Sequence, residues 1–176
     1  MTAEDGHLET LAPVMPEAVD ALAFRVLRRL CDRDMRVAAA ESCTGGLIAS
    51  VLTDIQGCGH AFERGFVVYT EEAKHDLLGV DKALIERHGA VSAHVARAMA
   101  EGGLHRSGAD LCIAVTGYAD DAGGAEQAGL VHFALACRDG GMHARRETFG
   151  DIGRGKVRLA CVRTALEMIA DSVKAS

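Results

Sequence analysis

Two hydroxyls and a thiol stand side by side in Glu41-Ser42-Cys43-Thr44-Gly45-Gly46, and the two glycines behind them let a ligand come close to the main chain. At a strand-to-helix junction such residues support two chemistries. Free amides at a helix N-terminus bind anions, and the same amides stabilise an oxyanion when a hydroxyl attacks a carbonyl. The segment also fits a plain reading, an N-cap followed by a glycine turn. It is no P-loop, because G-x-x-x-x-G-K-[ST] is absent. A second segment, Phe62–Lys74, carries Tyr69 and Lys74. A lysine removed from water has a lowered pKa and can take a serine proton, while a tyrosine hydroxyl can relay or orient it. Taken alone, Lys74 is the kind of residue that most often sits solvated on a helix, and Tyr69 a half-buried strand aromatic. Arg154 and Arg158, one helical turn apart, form a pair that can grip a phosphate bidentately, or simply a solvated helix face.

The elements that must position these groups follow from periodicity. Val19, Leu22, Ala23, Val26 and Leu30 recur at helical spacing between Glu17 and Asp32. Met35–Ala40 is a short small-apolar strand that delivers Ser42 to the start of a helix bearing Leu47, Ile48, Val51 and Leu52. Gly65–Thr70 is the next strand, after which Thr70 caps a helix opening with Glu71 and Glu72. Tyr69 and Lys74 are therefore expected at the same sheet edge as Ser42, where open α/β sheets bind ligands. Asp81 begins a short helix that Gly89 ends, and Ser92 caps another through about Leu104. Strands at Asp110–Thr116, Leu130–Cys137 and Met142–Phe149 follow, the last two joined at Gly140-Gly141 as an antiparallel hairpin. A helix from about Arg154 to Val173 closes the chain. The order predicts an α/β fold, a three-layer α/β/α sandwich with a mixed, mainly parallel sheet.

Composition bounds the rest. The chain has 176 residues, 49% of them hydrophobic, which suits one domain with a real core. Both prolines, Pro13 and Pro16, lie near the start, so residues 1–16 are expected to be a flexible leader and 17–176 a single domain. A net charge of −6 argues against a general nucleic-acid binder. No stretch of about 18 apolar residues suggests a membrane span, and the polar, acidic first residues resemble no targeting segment, so a cytoplasmic protein is expected. The six cysteines include no C-x-x-C pair and read as small buried apolar residues; the histidines show no zinc spacing, so no metal and no other cofactor is expected.

At these motifs the sequence resembles the C-terminal domain of the competence/damage-inducible CinA family, whose stand-alone members include bacterial nicotinamide-nucleotide amidohydrolases. The resemblance rests on Ala40–Gly46, on Phe62–Lys74 and on Gly89-Ala90-Val91-Ser92 with its helix. It continues through Gly108–Gly117, Gly129–Ala134, Gly150–Arg154 and Val157-Arg158, nearly the whole chain after residue 20. It implies hydrolysis of the carboxamide of nicotinamide mononucleotide, with the family's serine nucleophile falling on Ser42, its lysine on Lys74 and its tyrosine on Tyr69. Lys74 would accept the Ser42 proton directly or through Tyr69, and an acyl-enzyme would form. Amides around Thr44, Gly45 and Gly46, the matching Thr116 and Gly117, and Arg154 with Arg158 are the expected substrate contacts. Cys43 is the competing nucleophile. The partner implied is a small pyridine mononucleotide, with no nucleic acid and no membrane, and the family's habit of dimerising implies a homodimer.

The resemblance breaks in the loop after the Asp110–Thr116 strand. The family carries a glycine-alanine-glycine-proline run there; in this chain Thr116 and Gly117 match, but Asp120-Asp121 occupies the Gly-Pro position and the Lys-Pro that precedes the next strand is missing. Two carboxylates close to a phosphate pocket would repel a dianion by several kcal/mol if partly desolvated, and by little if they face solvent. The loop therefore leaves two alternatives beside the amidohydrolase: a non-catalytic nucleotide-binding or regulatory homologue, and an amidase for a different substrate.

Overall fold

The computed structural model describes residues 15–120 and 124–174. Among the described residues six α-helices and five strands follow in the order α1 (Glu17–Asp32), β1 (Val37–Glu41), α2 (Leu47–Thr53), β2 (Phe62–Val67), α3 (Glu71–Leu78), α4 (Lys82–His88), α5 (Ala93–His105), β3 (Leu111–Gly117), β4 (Leu130–Cys137), β5 (Met142–Thr148) and α6 (Arg154–Lys174). The strands form one sheet in the order β2-β1-β3-β4-β5. β1 runs parallel to β2 and to β3, whereas β3–β4 and β4–β5 are antiparallel. The expected mixed sheet is present, but parallel and antiparallel pairings are balanced rather than mainly parallel. The cause is β4: the 117–129 loop returns the chain directly beside β3 instead of crossing over through a helix.

Every residue of β1 is buried, so its alternation separates large side chains from small ones rather than core from water. Val37, Leu111, Ile113, Val115, Val131, Phe133 and Leu135 face one layer, where they pack with α1, α2 and α6. Ala38, Ala40, Cys112, Ala114, Ala134 and Ala136 face the other, where α3, α4 and α5 lie. The small face lets α5 come very close: a Cβ on Gly103 would sit 2.5 Å from the Cys112 sulfur. On the same helix a Cβ on Gly102 would lie 2.0 Å from the Leu78 carbonyl oxygen, so Gly102 also admits the end of α3.

Most of the expected leader lies outside the described residues; Met15 is buried in the large-side-chain core and Pro16 immediately precedes α1. The cysteines are free thiols, with Cys43, Cys58, Cys112 and Cys161 buried and Cys31 and Cys137 partly so. Among the described residues no helix is long and apolar enough to cross a membrane.

Strand direction decides where the motifs meet. β1, β2 and β3 point the same way, and two successive reversals give β5 that direction again. The segments leaving all four strands therefore emerge at one edge of the sheet. They carry Ser42, Tyr69 with Lys74, Thr116-Gly117, and Arg154.

Candidate active site

Ser42 follows directly on β1, and its amide is held by the Val115 carbonyl of β3 at 3.0 Å. The turn closes when Gly45 donates to the Ser42 carbonyl at 3.0 Å, with Gly45 and Gly46 in the left-handed region at φ 59° and 91°. Glu41, 1% exposed, accepts from the amides of Gly46, Ile48 and Ala49 at 3.1, 3.0 and 2.8 Å. A buried carboxylate thus takes the donors at the start of α2, a placement favoured by the helix dipole. Sequence reasoning missed this role of Glu41, and it corrects the expectation for Gly45 and Gly46: their amides are already engaged within the chain. The amides of Cys43 and Thr44 have no main-chain acceptor among the described residues.

Thr70 caps α3 by accepting from Ala73 at 3.1 Å, which sets the first turn so that Lys74 points back under the sheet edge. Lys74 is 2% exposed, and its Nζ lies 3.2 Å from Ser42 Oγ and 3.0 Å from the Val68 carbonyl. Burial holds its pKa below the ordinary lysine value, because desolvation disfavours the ammonium form. The Val68 carbonyl can keep one N–H of the neutral amine while the lone pair is turned to the hydroxyl. Cys43 beside it is buried in the apolar layer, where a hydrogen bond from Cys161 lowers its pKa and raises that of Cys161. The thiol pair faces the core, whereas the amine is bonded to the serine.

Tyr69 is 61% exposed, and its hydroxyl accepts from Arg154 Nη2 at 3.3 Å. Among the described residues no hydrogen bond links it to Ser42 or Lys74, so the contact between amine and hydroxyl is direct, without a phenolic relay. Arg154 Nη1 also pairs with Asp120 Oδ2 at 2.5 Å. Arg158 departs from the phosphate-gripping pair expected at i, i+4: its Nε and Nη2 donate to the Thr44 carbonyl at 3.2 and 2.6 Å. It braces the turn behind Ser42 from α6.

A cavity of about 220 Å³ opens over these groups, walled by Ser42, Cys43, Tyr69, Lys74, Thr116, Gly117, Asp120 and Arg154 among others. Thr116 is buried and donates to the Ala90 carbonyl at 2.8 Å. Gly117 allows β4 to pass, since a Cβ there would lie 2.7 Å from the Leu130 oxygen. Thr44, Gly45, Gly46 and Arg158 stand behind the wall rather than in it, and Thr44 Oγ1 is buried without a partner among the described residues. Asp121 lies outside the described residues. A larger groove of about 650 Å³ runs between α3, α4 and α5, but its Arg106 and Arg138 are engaged with backbone carbonyls and it holds no paired nucleophile and base.

The model of the CinA C-terminal domain matches residues 19–173. The chain belongs to the CinA C-terminal domain family. A CinA-like protein of Synechococcus sp. (strain RCC307) is 45% identical over 152 residues, 85% of this chain and 36% of that protein. A protein of Enterobacter agglomerans named nicotinamide-nucleotide amidohydrolase PncC is 47% identical over 134 residues, covering 74% of this chain and 80% of that one. Among solved structures, the competence/damage inducible protein CihA from Agrobacterium tumefaciens superposes with a TM-score of 0.86 at 43% identity, over 91% of this chain and 98% of that one. The chain spans about a third of the length of the CinA-like relatives it matches. The chain therefore shares the fold of the solved structure it superposes on.

Proposed function

We infer that the chain is an amidohydrolase that converts nicotinamide mononucleotide to nicotinic acid mononucleotide and ammonia, with Ser42 as nucleophile and Lys74 as general base. The observation that carries this reading is the buried amine 3.2 Å from the serine oxygen. Its support in the comparisons is the name of the Enterobacter relative, most of whose length the chain matches.

The chemistry follows from the donors in place. Neutral Lys74 takes the Ser42 proton as Oγ attacks the carboxamide carbon, and the carbonyl oxygen gains the negative charge. The amide of Cys43, a residue of the cavity wall whose N–H has no main-chain acceptor among the described residues, is the donor assigned to that charge. The Lys74 ammonium then gives its proton to the departing nitrogen, the C–N bond breaks, and ammonia leaves behind an ester on Ser42. Water attacks the ester as Lys74 takes its proton, and the proton returns to Oγ as the acid is released. Tyr69 and Arg154 at the mouth contact the nucleotide portion, and Thr116 and Gly117 form the opposite wall.

Ammonia release from nicotinamide mononucleotide tests the reading. Ser42→Ala and Lys74→Met are each expected to lower kcat/KM by about 10⁴-fold, while Cys43→Ala stays within about tenfold of the parent. Turnover retained in Ser42→Ala, or lost only in Cys43→Ala, would overturn the assignment.

A further inference from the structure

Among the described residues, the charged groups in the cavity wall are Lys74, Arg154 and Asp120. Lys74 is committed to Ser42 and Val68, which leaves Arg154 as the guanidinium able to meet an anion at the mouth. A phosphate is gripped best when two N–H groups of one guanidinium fork face two of its oxygens. Here Arg154 Nη1 is on Asp120 and Nη2 is on the Tyr69 hydroxyl. A phosphate arriving at the Nη1/Nη2 fork of Arg154 competes there with a carboxylate of the same sign. The pair is also open to water, the two side chains being 47% and 38% exposed, so it is weak enough to open rather than a permanent block.

We propose that Asp120 is a specificity-determining residue: by occupying Arg154 it reduces the preference of this site for a phosphate-bearing amide over the same amide without phosphate. An aspartate makes the mouth nearly neutral, and a substrate ending in an uncharged sugar then loses little by comparison. The inference rests on the amidohydrolase reading for the identity of the ligand, and its test is chosen to be separable from turnover.

Titration calorimetry of the parent protein, Asp120→Asn and Asp120→Gly with nicotinic acid mononucleotide and with nicotinic acid riboside gives the ratio of the two affinities for each protein. Asparagine keeps the shape and removes the charge, so a fold defect cannot account for a common result in both variants. The ratio is expected to shift toward the mononucleotide by tenfold or more in each variant, and to be insensitive to Asp120→Asn once Arg154 is already methionine. A ratio unchanged within twofold, or a shift that persists without Arg154, would overturn the proposal. Ammonia release is measured alongside. A shifted ratio with no turnover on any amide would sink the enzyme reading and leave the role of Asp120 standing. Turnover with an unshifted ratio would do the reverse, and binding of neither ligand would sink both.

Discussion

At the level of single residues, the proposed reaction depends on an amine that is neutral when it meets the serine. The folded Lys74 has a pKa below its unfolded value of 10.5. The unfolded chain therefore binds more protons in the interval between the two values, and burying this residue costs most stability below the lowered pKa and none above 10.5. The catalytic counterpart has the same sign: kcat/KM rises with pH up to the lowered pKa and then levels. Removing the carboxylate of Glu71, which favours the Lys74 charge, should move the acid limb to lower pH in Glu71→Gln, as a pH–rate profile would record. A limb that stays in place would remove Lys74 as its source. The meeting of Ser42 and Lys74 at one sheet edge was legible because Ser42 directly follows a strand, ahead of two glycines, and Lys74 lies within about a turn of a threonine cap. The tasks of Glu41 and Arg158 were not. A carboxylate one residue ahead of a serine, or an arginine four residues beyond another, does not disclose whether it turns toward ligand or main chain; only the neighbouring strand and helix decide that.

Between elements, two contacts fix the distance from amine to hydroxyl. Arg158 of α6 braces the turn after β1 through the Thr44 carbonyl. Arg158→Met is expected to lower kcat by about 10²-fold with little change in KM, since a small misplacement of a reacting group is worth that much, and Arg158→Lys should restore part of it. A change in KM alone would instead make it the anion contact that its spacing first suggested. On the opposite side of the sheet, Gly102 admits the Leu78 carbonyl at the end of α3. Gly102→Ala is expected to cost about 2 kcal/mol, the overpacking penalty exceeding the gain in helix propensity, whereas Gly155→Ala, whose Cβ would meet nothing within 4 Å, should be neutral or slightly stabilising. Chemical denaturation distinguishes the two. Helix boundaries were the easiest part to read: α1 runs from Glu17 to Asp32 as its periodicity predicts. β2 was harder, beginning at Phe62 rather than Gly65, because its register against β1 shifts between Val37 and Ala38 and the apolar run Phe66–Tyr69 outlasts the strand.

For the molecule as a whole, the two apolar layers share every central strand, with Val37, Ala39 and Ile113 turned to one and Ala38, Ala40 and Cys112 to the other. Neither layer can be lost while its neighbour keeps its floor. Thermal unfolding is therefore expected as a single transition with equal calorimetric and van't Hoff enthalpies, and two resolved steps would contradict this account of the core. The layered class could be read from alternating periodicities, but the antiparallel return of β4 could not: no tight turn precedes it, and loop 117–129 carries no signal for which neighbour the strand will choose. The same topology puts β2 at the border of the sheet, bonded to a neighbour on one side only. Ser42 is thus anchored at the centre, while Lys74, its proposed proton acceptor, hangs from the periphery, past an edge strand. Fraying of that border would draw the amine away while the interior keeps its shape, so the vulnerability of the site lies at its hem rather than at its heart.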